Sequence, residues 1–61
     1  MAFAPGTRVR TRCGGTEMGY WWDYGTVAVA VDCDHGNTEY RVNWDGGGYD
    51  YLCNFELEVV A

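Results

Sequence analysis

The chain contains no lysine, no serine, no isoleucine and no glutamine, and only one histidine and one proline. Each absence narrows the reading. Without lysine, the positive charge rests on four arginines against nine acids, a net charge of −5. Phosphate backbones are held chiefly by Lys and Arg, so nucleic acid is not an expected partner. With neither serine nor lysine, and with His35 in a polar turn, the parts of an activated nucleophile are missing. Cys33 and His35 are two apart, and such neighbours on an extended chain point to opposite faces. The chain therefore reads as a binding module, not an enzyme. Its longest apolar run, Val27 to Val31, is far too short to cross a bilayer, and no leader-like segment opens it. The expectation is no membrane partner and an intracellular, cytoplasmic setting, with the nucleus open.

Cysteine is scarce and odd in number: Cys13, Cys33 and Cys53. An even set would suit a secreted disulfide scaffold, so three free thiols in a reducing compartment are favoured over one bridge and a spare. The three with His35 lack a Cys-x-x-Cys knuckle, and their even spacing is not that of zinc ligands. Asp32, Asp34, Gly36 and Glu39 do not match a calcium loop in glycine position or terminal acid. No metal and no cofactor is expected, and residues 32–37 read as a polar turn.

What is present is β-forming. Seven valines and ten aromatics, set among nine glycines, suit pleated strands joined by tight turns. No window carries a helical apolar period. Residues 7–12 alternate Thr7, Val9 and Thr11 against an outward stripe of Arg8, Arg10 and Arg12, which reads as a solvated or ion-paired exterior. Residues 13–23 break all periodicity and read as a loop of about ten residues, with one of Trp21 and Trp22 buried as a plug. Residues 24–32 place Val27, Val29 and Val31 on one core face. Tyr40, Val42 and Trp44 alternate with polar neighbours, Asp45 to Gly48 reverse the chain, and 49–53 return it. Residues 54–56 make a tight turn before a closing strand at 57–60. That order predicts an all-β, five-stranded SH3-like (Tudor-like) barrel over residues 6–61, after a flexible arm, 1–5, from which Phe3 packs back. Sixty-one residues make a single domain near the lower limit for folding unaided.

The aromatics exceed what so small a barrel can bury. Tyr20, Trp21, Trp22, Tyr24, Tyr49 and Tyr51, with Asp23, Asp45 and Asp50 beside them, form the candidate ligand-binding set, while Trp44 and Val42 are assigned to the core. Aromatic faces next to carboxylates attract cations, and Tyr and Trp dominate binding hot spots. The expected partner is a short peptide or protein tail, basic or neutral.

The residues also carry a family resemblance. Gly6-x-x-Val9-x-x-Arg12, Tyr24-Gly25-Thr26-Val27, Tyr40-Arg41-Val42-Asn43-Trp44-Asp45-Gly46-Gly47, Tyr51, and Glu56-Leu57-Glu58-Val59 together resemble the mind-bomb-type SH3-like barrel of E3 ubiquitin ligases. The most specific piece is Val42-x-Trp44-Asp45-x-Gly47. The chain departs from that pattern in its adjacent Trp21 and Trp22, where the family has Trp-x-Trp and a Gln-Asp-Gly turn, and in its short route from Tyr51 to Glu56. The resemblance implies substrate recruitment through short peptide segments, with ubiquitin transfer carried out elsewhere. Two alternatives stand beside it: a Tudor-like reader of methylated lysine or arginine through an aromatic cage, and a structural or assembly domain that forms a homodimer through its strand edges.

Overall fold

The computed structural model describes residues 3–32 and 38–60; Cys33, His35 and most of the expected polar turn lie outside them. The order is β1 (Arg8–Gly15), β2 (Gly19–Asp32), β3 (Thr38–Trp44), β4 (Tyr49–Cys53), a 3-10 turn (Asn54–Glu56) and β5 (Glu58–Val59). The domain is all-β: among the described residues there is no α-helix, and so none long and apolar enough to cross a membrane. One antiparallel sheet runs β4-β3-β2-β1-β5. Among the described residues no ladder joins β4 to β5, so the sheet is open and not a closed barrel.

Its inner face carries the core: Val9, Val27, Tyr40, Val42 and Leu57, with Phe3, Trp44 and Leu52 packed against them. The cross-strand pairs Val27↔Val42 and Tyr40↔Leu52 place these side chains opposite one another on that face. Phe3 does pack back: its ring lies 5.0 Å from that of Tyr40, whose buried hydroxyl accepts the Phe3 backbone N–H at 3.2 Å. Gly6 N–H donates to the Val27 carbonyl and Val27 N–H to that of Thr7, fastening the chain's start to β2.

Two further expectations are corrected. Residues 13–23 are not a long loop: β1 and β2 form a hairpin that pairs without interruption from Arg8↔Thr26 to Gly15↔Gly19. Its outer part extends beyond the core, so neither face there is buried and no hydrophobic alternation marks it. Neither tryptophan is a plug, since Trp21 is 46 % and Trp22 39 % exposed. Trp21 instead lies over Gly14, where a Cβ would sit 2.8 Å from its ring.

The second correction concerns the valines. The register shifts between Val27 and Val29, so that Val27 pairs with Val42 but Val29 with Arg41. The extra residue, Ala28, reverses which parity faces inward. Val29 and Val31 consequently face out, 44 % and 41 % exposed, while Ala30 comes opposite buried Tyr40.

Candidate functional site

Register decides where the candidate residues go. On β1 and β2, Arg8, Arg10 and Arg12 pair with Thr26, Tyr24 and Trp22, and Gly14 pairs with Tyr20. Arginines and aromatics thus share the outer face. The guanidinium of Arg10 lies 4.0 Å from the Trp22 ring centre and that of Arg12 4.0 Å from the Tyr20 ring. Each arginine leans diagonally onto the aromatic two positions from its direct partner, a reach open to long side chains on a pleated face. The device repeats on β3 and β4, where Arg41 lies 4.1 Å over Tyr49, which meets Tyr51 edge to face at 5.9 Å. Arg10 also pairs with Glu58 at 2.5 Å and reaches the Tyr24 hydroxyl at 3.4 Å.

The opposite face of β2 carries Trp21 and Asp23, which pair with Cys13 and Thr11. The Cys13 thiol donates to Asp23 Oδ2 at 3.2 Å. That bond to a carboxylate, with partial burial, pushes the thiol above its ordinary pKa. Desolvation, then Glu56 and Glu39, raises Cys53 as well. Both are free thiols.

A concave part of the described surface lies where β2 meets the β3–β4 reversal. A cleft of about 410 Å³ is lined by Asp23, Tyr24, Trp44, Asp45, Gly46 and Gly47. Local chemistry builds it. Trp44 pairs with Gly25, whose missing side chain makes room for the indole: a Cβ there would stand 2.9 Å from Trp44 Cε3. Trp44 Nε1–H donates to Asp50 Oδ2 at 2.8 Å, which sets the ring's orientation. Asp45 N–H donates to the Tyr24 carbonyl, Trp44 N–H to that of Gly48, and Gly47 N–H to that of Trp44. Gly47 and Gly48, with φ of +107° and +78°, take up the conformations this reversal requires. Arg8 holds the Asp45 carboxylate by both oxygens at 2.7 Å and also reaches Thr26 Oγ1 at 3.0 Å. Those hydrogen bonds keep the Asp45 carboxyl below its ordinary range.

The nine candidate residues therefore fall into three groups. Asp23, Tyr24 and Asp45 meet at the cleft; Tyr20, Trp21 and Trp22 lie along the β1–β2 hairpin; Tyr49 and Tyr51 stand on β4, with Asp50 turned to Trp44. Among the described residues no ring contact joins the β2 aromatics to those of β4. Trp44, assigned to the core from sequence, both touches the core and lines the cleft. Arg8, which positions Asp45, was visible only as one of a stripe. The described residues hold no cluster of metal-ligating side chains. The chain matches no family model, and neither any curated protein nor any solved structure matches it.

Proposed function

We propose that this chain is a non-catalytic recognition module, a variant of the SH3-like (Tudor-like) barrel plan, which binds a short extended segment of another protein in the Trp44 cleft. Five strands in the order β4-β3-β2-β1-β5, with a 3-10 turn before the last, support the SH3-like part of that reading. The observation that carries the functional part is the cleft itself: an aromatic ring of set orientation, carboxylates, and bare glycine backbone around about 410 Å³. That is the make-up of a small recognition site, mostly preformed and with few polar groups. Recruitment of substrate within an E3 ubiquitin ligase is the setting that the Val42-x-Trp44-Asp45-x-Gly47 resemblance supports. A methyl-cation cage has less support, because Arg10, Arg12 and Arg41 already lie over Trp22, Tyr20 and Tyr49.

An array of short basic and neutral peptides tests the reading. Wild-type protein should retain a subset of them, and Tyr24→Ala should weaken that binding by roughly tenfold or more. Phe55→Ala, at an exposed residue outside the cleft, should leave it unchanged, with far-UV circular dichroism confirming the fold of both. Equal loss in the two variants, or no retained peptide, removes the proposal.

A further inference from the structure

Resting on that reading, we infer that the cleft takes an arginine side chain of the bound segment, with its guanidinium on the Asp23 carboxylate and its plane against the Trp44 indole.

The acids around the cleft are not equivalent. Asp45 has both oxygens held by Arg8. Asp50 already accepts the Trp44 indole N–H. Among the described residues Asp23 accepts only the Cys13 thiol, at 3.2 Å and through Oδ2, and no arginine pairs with it. A thiol is a weak donor, so Asp23 keeps most of its hydrogen-bonding capacity and one oxygen available to a ligand. The four arginines are spent elsewhere: Arg8 on Asp45, Arg10 on Glu58 and Trp22, Arg12 on Tyr20, and Arg41 on Tyr49. Among the described residues no cation is left to complete Asp23, which leaves that place to a ligand.

Position makes Asp23 usable. It lies two residues before Gly25 on β2, on the same face, and Trp44 lies opposite Gly25. Same-face neighbours on a strand are about 7 Å apart, a spacing that sets carboxylate and indole side by side along the cleft. A guanidinium suits this pair better than an ammonium, since it is planar, stacks on aromatic rings and still presents its edge to a carboxylate. The chain sets a guanidinium over an aromatic ring three times itself, at 4.0 to 4.1 Å, and in one case, Arg10, the same group also pairs with a carboxylate, that of Glu58. About 410 Å³ exceeds one side chain, and Gly46 and Gly47 on the wall leave space for the ligand's main chain.

The test uses a capped heptapeptide with a central arginine flanked by alanine and threonine, and its citrulline and lysine versions. Each is titrated into the full chain while the Trp44 Nε1–H resonance is followed. Citrulline keeps the shape and removes the charge, so it should bind about tenfold more weakly, the scale of one charge-assisted hydrogen bond. Lysine should bind at least threefold more weakly. In Asp23→Asn the arginine and citrulline peptides should bind alike. Equal binding of arginine and citrulline to wild type overturns the inference without any variant, as does equal binding of lysine, or an arginine preference that survives in Asp23→Asn. If the preference is absent but Tyr24→Ala still weakens every peptide, the cleft is a recognition site and Asp23 is not its cation anchor. If the array retains nothing and no heptapeptide moves the resonance, the recognition reading itself is wrong.

Discussion

Gly25 shows how one residue ties fold and site together. It is buried on β2, and a side chain there would meet the Asn43 carbonyl at 2.6 Å, Val42 Cγ1 at 2.7 Å and Trp44 Cε3 at 2.9 Å. Two of those neighbours belong to the core or its margin and one is rigid backbone, so none yields cheaply. Gly25→Ala should cost about 1–3 kcal/mol, the usual penalty for overpacking, read as a lower urea midpoint with unchanged slope. The same change should shift the Trp44 indole resonance, because the ring loses its seat. Trp44 itself was half legible from sequence. Alternation with Tyr40 and Val42 points it inward, and it does touch the core. Its second role follows from the absence of a side chain at Gly25, on another strand, and only register brings those two residues together.

At the scale of elements, β3 was legible because one of its faces is buried and period two survives, and β4 because the glycine reversal directly before it returns the chain. The β1–β2 hairpin was not, for it projects past the core and its aromatics and arginines cover each other in place of an interior. The β2 bulge was invisible for a different reason. Val27-Ala28-Val29-Ala30-Val31 is a perfect alternation, and nothing in those residues announces that Ala28 is unpaired. The consequence can be measured with single valines. Val27→Ala removes two methyl groups from a fully buried position and should cost about 2 kcal/mol. Val29→Ala and Val31→Ala, on the outer face, should each cost less than about 1 kcal/mol, the span of strand propensity. Urea unfolding of the three variants separates the bulged register from a regular strand, in which all three would be equally costly.

For the whole molecule, five of the described residues form the buried core, with three more packed against it, and a domain of this size has little stability to spare. Under those conditions a surface contact that joins distant elements carries more weight than its exposure suggests. Arg8 and Asp45 form such a contact: it reaches from β1 across β2, through Thr26, to the turn between β3 and β4, and it spans three of the five strands. It also fixes the wall of the cleft. Because Arg8 lowers the Asp45 pKa in the folded state, the linkage has a definite sign. The contribution is complete above the ordinary carboxylate pKa of about 3.9, and is lost as pH falls through the lower folded value, where the folded carboxyl is protonated too. Asp45→Asn should therefore melt below wild type at every pH from 5 to 8, by a constant margin. That margin should shrink below pH 4 and close once the Asp45 carboxyl of the wild type is neutral in the folded as well as the unfolded state. Raising salt at pH 7 should narrow it as well, since both partners are solvent-exposed and screened. Thermal melts followed by tryptophan fluorescence across that range decide the matter. A margin that persisted unchanged at pH 2 would mean that Asp45 supports the turn through its shape and hydrogen bonds, not its charge, and the brace would then be an effect of the turn rather than a cause of it.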